Sequence, residues 1–572
     1  KVAFVKDYNL YYKNLETGEE VQLTEDGEKN KILNGISDWV YEEELVLVQA
    51  FQWSPDGNKI AFYRFDETEV KQYSMPIYDG LYPSHYTFKY PKAGEENSEV
   101  AIKIYSLSEN RTVEVNTKKE YEYITSIKWT EDPGTLAVLG SNRYQNKLDI
   151  LLADAETGST EVLYTESSDT YIEMPFDVFF LKDKKHFLLM SEKDGYNHIY
   201  LFDMKGRLKK QLTKGKWVVT DFYGADEANG KIYYQSAEVS PLERHIYSIG
   251  LDGKGKKRLS ALPGTNSAVF SKGYKNFINY NSTANSPSKI SLHEISGAEI
   301  RVLKDNKKLH NTMGNYKLNP KEFFSFTTSE GVKLNGWMIK PADFDESKKY
   351  PVFLTIYGGP GSQTVTDSWG GANYFWHQML AQKGYIVVSV DNRGTGGRGA
   401  EFKKLTYKEL GKFETIDQIE AAKYFQSLPF VDGERIGVQG WSYGGYMSSL
   451  CLLKGAKYFK AAIAVAPVTN WRFYDSIYTE RYMQTPQENP DGYDDNSPIN
   501  HVEKLQGNYL LVHGTADDNV HFQNTAEMIS ALVDADKQFD LFIYPDKNHG
   551  IYGGNTRKHL YQKMTDFIIE KL

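Results

Sequence analysis

With 572 residues the chain is too long for a single hydrophobic core, so at least two domains are expected. A net charge of −9 without long charge runs argues against a nucleic-acid surface, and no run approaches the roughly 18 apolar residues of a membrane helix. One cysteine, Cys451, excludes internal disulfides and all-cysteine metal sites, which leaves it the role of a small core residue. Aromatic residues at 14%, with 42 Tyr, suit a β-rich architecture.

The chain opens on Lys1-Val-Ala-Phe-Val5, a strand already under way, with neither an initiator Met nor a signal peptide. A preceding segment carrying any targeting information is therefore expected. Over the first 310 residues one design recurs: a strand, a tight turn, and a strand ending near Leu-Thr or Leu-Ser. The turn residue falls at Gly18, Asn110, Gly158, Gly206, Gly253 and Gly297, at intervals of 92, 48, 48, 47 and 44. Gly and Asn tolerate the left-handed conformation that hairpin turns require. A period of this length with several strands per unit predicts β-propeller blades, the first interval counting as about two. That long interval holds two interruptions. One is the acidic stretch Ser37–Leu45, and the other is Asp66–Glu99, rich in Tyr and Pro; insertions of this kind carry contacts rather than stability.

From about Tyr316 the pattern changes, which divides the chain into 1–312 and 313–572. Phe323–Phe326 and Leu334–Ile339 read as an antiparallel lead-in. Buried strands follow at Val352–Tyr357, Tyr385–Val390, Ile436–Gln439, Ala461–Val465, Tyr509–His513 and Phe539–Tyr544, with helices including Thr415–Gln426 and Thr525–Leu532 between them. Such alternation predicts a mostly parallel sheet covered on both faces. The last helix carries Leu560, Met564, Phe567, Ile568 and Leu572 on one face.

Within this region Arg435–Tyr446 reads as a buried strand, a forced turn and a helix, and Gly440-Trp441-Ser442-Tyr443-Gly444 fits the G-x-S-x-G nucleophile elbow. A serine hydroxyl becomes nucleophilic when a histidine takes its proton and a carboxylate orients that histidine. In α/β-hydrolases the chain order is Ser, Asp or Glu, His. His549 lies in the loop after the last strand, and Asp517 lies in the loop after the strand before it, with Asp518 as the rival carboxylate. One oxyanion donor is the Tyr443 backbone N–H; the Tyr357 hydroxyl, in the loop after Val352–Tyr357, is the candidate for the second.

Taken together these motifs resemble the prolyl oligopeptidase family of serine peptidases. The resemblance runs over nearly the whole chain, through Gly440–Tyr446, His513–Phe522 and His549–Ile551, with Asp38-Trp-Val-Tyr-Glu-Glu-Glu44 marking its dipeptide-releasing branch. It implies an eight-bladed propeller, incomplete in this chain, followed by an α/β-hydrolase domain. It also implies an exopeptidase that removes Xaa-Pro or Xaa-Ala from peptide N-termini without cofactor or metal. In this reading Glu43 and Glu44 bind the protonated amine, as paired carboxylates do best. Val468, Trp471, Tyr474 and Tyr478 form a flat apolar slot for proline, and Asn519 binds the carbonyl of the first residue. A family arginine that shares that carbonyl falls upstream of Lys1, and the Phe-Arg pair of the outer subsite has no clear counterpart near Tyr171–Met174. The resemblance makes Asp66–Glu99 and the final helix a homodimer contact, and suggests a bacterial periplasm or cell surface. Prolyl endopeptidase and acylaminoacyl peptidase are the enzymatic alternatives, and a propeller scaffold without catalysis is the non-enzymatic one.

Overall fold

The computed structural model describes residues 1–117, 120–174 and 176–572. All six turn residues picked out by the repeat have positive φ, from 50° at Asn110 to 95° at Gly297. Each sits in the hairpin joining the last two strands of an antiparallel sheet. Gly158 shows why glycine recurs: a Cβ there would lie 2.1 Å from the Glu114 carbonyl oxygen, in the last strand of the preceding sheet. Gly206 repeats the arrangement against Leu163, at 2.0 Å.

The interval of 92 residues corrects the expectation that it spans two units. Gly18 closes the three-stranded sheet Val2–Lys6, Asn9–Lys13, Glu20–Gln22, and Asn110 closes the very next sheet. That one sheet runs from Ile32–Asn34 through Phe51–Trp53, Lys59–Asp66 and Glu99–Ser106 to Arg111–Glu114. Two insertions lengthen it: the acidic helix Trp39–Glu44, and an arm carrying the hairpin Gln72–Ile77 with Ser84–Lys89. Four four-stranded meanders follow, beginning at Tyr123, Val178, Val219 and Thr265, and complete the propeller blades among the described residues.

The last meander ends at Lys304 and the lead-in of the next sheet begins at Glu322. Compactness cuts the chain differently. One unit comprises Lys1–Met190, Tyr200–Gln211 and Tyr474–Pro490; the other comprises Ser191–Ile199, Leu212–Phe473 and Asp491–Leu572.

In the first unit the acidic helix is pinned by its own buried face. Asp38 caps it, accepting from the Tyr41 N–H at 3.0 Å and from the Ser98 hydroxyl at 2.7 Å. The buried Tyr41 ring packs on Phe65 at 4.9 Å, and its hydroxyl accepts the Ile124 N–H at 3.0 Å. The segment Tyr474–Pro490, with its helix Ser476–Met483, is stitched to the arm. Ala93 N–H donates to the Tyr474 carbonyl and Ser476 N–H to the Pro91 carbonyl, both at 3.0 Å. Arg143 grips the fully buried Glu480 carboxylate with two bonds of 2.6 and 2.8 Å, and Gly94 N–H adds a third at 2.7 Å.

The second unit is built on an eight-stranded sheet: β1 Glu322–Thr327, β2 Lys333–Ile339, β3 Tyr350–Ile356, β4 Ile386–Asp391, β5 Val431–Trp441, β6 Ala461–Val465, β7 Asn508–Gly514 and β8 Asp540–Tyr544. The order is β1-β2-β4-β3-β5-β6-β7-β8, with β1 and β2 antiparallel and the rest parallel. The central strands are continuously apolar because both faces are covered. The final helix, Thr556–Lys571, buries four of the five apolar side chains read from its periodicity, the fifth, Leu572, is buried directly after it, and Cys451 is fully buried in the helix after β5.

The turn between β5 and the helix Tyr443–Lys454 is the tightest packing in this sheet. Ser442 has φ 60° and ψ −119°, a conformation that costs a non-glycine residue about 1–3 kcal/mol. A Cβ on Gly440 would stand 2.0 Å from the Gly444 carbonyl oxygen, and one on Gly444 would stand 2.4 Å from the Ile356 carbonyl oxygen. Gly444→Ala is therefore expected to destabilise the protein by about 3 kcal/mol or to abolish soluble expression. Gly18→Ala, whose Cβ meets nothing within 4 Å, should cost only about 1 kcal/mol through its positive φ. Chemical denaturation of both variants checks the contrast, and equal losses would contradict it.

Candidate functional site

The strained turn lifts Ser442 off the carboxyl end of β5, where parallel sheets present their ligands. Ser442 N–H donates to the Val465 carbonyl at the end of β6, at 2.9 Å, so the turn is tied to the neighbouring strand. The helix starts at Tyr443, and its first backbone N–H groups and positive dipole end face the region beside the serine.

Two loops at the same sheet edge carry the partners. The loop after β7 and the loop after β8 are sewn together: Thr515 N–H reaches the Tyr544 carbonyl, and Ala516 N–H the Lys547 carbonyl, both at 3.1 Å. Gly514 has no Cβ because Lys547 O would lie 2.1 Å from it. This brings His549 Nδ1 to 2.8 Å from Asp517 Oδ2. The Trp441 indole N–H donates to the His549 carbonyl at 3.0 Å, fastening the histidine loop to the residue before the serine. Asp517, rather than its neighbour Asp518, is the carboxylate that faces His549. It is fully buried and accepts four bonds. Oδ1 takes the N–H groups of Asn519 and Val520 at 3.1 and 3.0 Å; Oδ2 takes His549 and the fully buried His513, the latter at 3.2 Å. Burial alone would raise the Asp517 pKa, but the two imidazoles outweigh it and hold the carboxyl at about 2.

Tyr357 follows β3 and is 37% exposed, its ring 5.9 Å from that of Tyr443. Tyr443 is buried and also lies against Trp471, at 5.4 Å. Its hydroxyl donates to Glu414 Oε1 at 2.7 Å, while Glu414 Oε2 accepts the Gly411 N–H at 3.0 Å. Burial pushes the Glu414 carboxyl up to about 7. Val468 is buried in the same unit, and Asn519 is half-buried on the Asp517 loop.

The remaining expected residues belong to the first unit. Glu43 is exposed and Glu44 half-buried at the end of the acidic helix. Tyr474 and Tyr478 meet edge to face at 5.3 Å, and Tyr478 meets Tyr482 at 4.9 Å. The structure adds two charges here that sequence reasoning missed, Asp475 and Arg481. Asp475 is fully buried and caps the helix Ser476–Met483 through the Tyr478 N–H at 2.9 Å. Arg481 donates to Gln145 Oε1 at 2.7 Å. Burial and the carboxylates of Asp475 and Glu43 push Glu44 well above the usual range, against the pull of Arg481. Burial pushes Asp475 up as well. Acidic groups crowded in this way are relieved by a cation. His513 and Glu414 were also missed, although His513 opens the same short motif as Asp517 and Glu414 stands three residues after Gly411 at the head of a helix.

Among the described residues no group of His, Cys, Asp and Glu could hold a metal ion, and no helix is long and apolar enough to cross a membrane.

Residues 1–288 match the family described as the dipeptidyl peptidase IV (DPP IV) N-terminal region, and residues 373–572 match the prolyl oligopeptidase family. A crystal structure of Porphyromonas gingivalis dipeptidyl peptidase 4 superposes with a TM-score of 0.97 at 45% identity, covering 100% of this chain and 81% of that one. Proteins named "Probable dipeptidyl-aminopeptidase B" from Arthroderma gypseum and Botryotinia fuckeliana are 35% and 36% identical over 99% of this chain. The chain belongs to the prolyl oligopeptidase family, with an N-terminal region of the dipeptidyl peptidase IV type. It spans 65% of the length of these two curated relatives.

Glu414 makes the packing behind Tyr443 pH-sensitive. Its folded-state pKa lies above the unfolded value, so the folded state holds the extra proton. Stability is then full below about pH 4.5 and falls as pH rises toward 7. Glu414→Gln removes that loss, so the variant should gain on the parent by up to about 3 kcal/mol between pH 5 and pH 8. Urea unfolding of both at the two pH values measures this, and a constant difference would contradict it.

Proposed function

We propose that this chain carries the machinery of a serine exopeptidase that releases N-terminal Xaa-Pro or Xaa-Ala dipeptides through an acyl-enzyme on Ser442. The observation that carries the reading is the 2.8 Å bond from His549 Nδ1 to Asp517, in a loop fastened by Trp441 to the strained turn at Ser442. With Nδ1–H given to Asp517, the other ring nitrogen is the basic one. It takes the Ser442 proton as Oγ attacks the peptide carbonyl, and the buried Asp517 carboxylate stabilises the imidazolium. The oxyanion is met by the Tyr443 N–H and the Tyr357 hydroxyl. His549 then returns its proton to the leaving amine, the dipeptidyl ester remains on Ser442, and water repeats the cycle to free it.

Specificity for the amino end is assigned to Glu43 and Glu44, whose surroundings favour a cation. Proline at the second position is assigned to Val468, Trp471, Tyr474 and Tyr478, and Asn519 is assigned the carbonyl of the first residue. The dipeptidyl peptidase and dipeptidyl-aminopeptidase names of its relatives support this substrate class. A homodimer is part of the proposal, supported by the arm, whose hairpin leaves Leu81 93% and Tyr82 84% exposed. A periplasmic or cell-surface setting in a bacterium completes it.

Three variants and two substrates test the reading. Ser442→Ala should abolish release of p-nitroaniline from Gly-Pro-p-nitroanilide, and unchanged turnover would end the proposal. The acetylated substrate should be refused, whereas its efficient cleavage would indicate an endopeptidase or acylaminoacyl peptidase. Glu43→Gln and Glu44→Gln should each raise KM for the free amine by about tenfold or more, because each weakens a charge-assisted hydrogen bond.

A further inference from the structure

His513 is the last residue but one of β7 and is fully buried. Its Nε2 faces two acceptors, the Val520 carbonyl at 2.8 Å and Asp517 Oδ2 at 3.2 Å. A nitrogen between two acceptors must carry the proton, so His513 is a donor to the same oxygen that receives His549. The other nitrogen, Nδ1, lies 2.7 Å from the Thr525 hydroxyl on the helix Gln523–Asp534, and the Phe522 ring packs edge-on at 5.7 Å. The ring is thus held by hydrogen bonds at both nitrogens and by burial.

From this geometry we infer that His513 is a positioning residue that sets how much negative charge Asp517 presents to His549, and through it the pH at which His549 becomes a base. The physical reason is competition for one oxygen. Asp517 stabilises the protonated form of His549 by Coulomb attraction and a hydrogen bond. A second N–H on Oδ2 draws charge away from that oxygen and weakens the attraction. The titratable groups bonded to Asp517 are His513 from β7 and His549 from the loop after β8; Asp518 and Asp546 are the other acidic groups on the two loops. His513 therefore keeps His549 unprotonated at a lower pH than the triad alone would allow.

The inference rests on the acyl-transfer reading given above, and its test is separable from it. His513→Leu removes the donor at similar volume, while His513→Gln keeps an N–H within reach of Asp517. Hydrolysis of Gly-Pro-p-nitroanilide is followed from pH 5 to pH 9, with the folded, active fraction counted by fluorophosphonate labelling. In His513→Leu the acid limb of kcat/KM should move up by about 0.5–1 pH unit, with KM unchanged, and His513→Gln should return it toward the parent. Thr525→Val, which loosens the ring from its far side, should move the limb the same way by less, and it serves if His513→Leu does not fold. An acid limb at the parental pH in a labelled, active His513→Leu or Thr525→Val enzyme would overturn the inference while leaving the acyl-transfer reading intact. Undiminished hydrolysis by Ser442→Ala would remove both.

Discussion

The turn at Ser442 depends on a helix lying directly on a strand, closer than any side chain allows. Gly440 and Gly444 supply that closeness, each with a backbone oxygen where a Cβ would stand. Ser442 absorbs the strain in a backbone conformation that non-glycine residues avoid. The constraint then propagates outward. The tight crossing fixes the start of the helix and so the direction of its N–H groups. The Val465 carbonyl holds the serine's own N–H, and Trp441 reaches sideways to the histidine loop. What looks like a local turn is the point to which the end of β6 and the loop after β8 are tied.

Burial does the second part of the work. A carboxylate shut away from water must collect its hydrogen bonds from the protein, and Asp517 collects four. That need orders the loop after β7 and orients His549. In the first unit the same physics has another outcome. Burial pushes both Glu44 and Asp475 toward neutrality; Asp475 and Glu43 add to it at Glu44, Glu43 and Glu480 add to it at Asp475, and Arg481 only partly offsets them. One unit holds a carboxylate kept charged by donors, and the other holds carboxyls that burial pushes toward the neutral acid.

Much of this was legible in the sequence, and the reasons differ from residue to residue. Ser442, Asp517 and His549 were readable because each follows a strand of an alternating pattern, and strand ends converge at one edge of a parallel sheet. The turn glycines were readable because a positive φ recurs at every blade. The long first interval misled, since insertions within a blade and an extra blade lengthen the spacing alike; only strand pairing separates them. Asp475, Arg481, Glu414 and His513 were hidden for another reason. Their roles come from being buried against a particular partner, and a charged residue in a sequence carries no mark of its burial. His513 was the nearest to being found, four residues before Asp517, but as the last residue of a predicted strand it was given no part in the site.

The central claim is that Ser442 carries the dipeptide as a covalent ester. The direct measurement is rapid acid quenching of the protein during turnover of a Gly-Pro ester, followed by peptide mass spectrometry. The account predicts a single adduct, heavier by one Gly-Pro acyl group, on the peptide containing Ser442 and absent in Ser442→Ala. Steady turnover with no adduct, or an adduct on another residue, would contradict it.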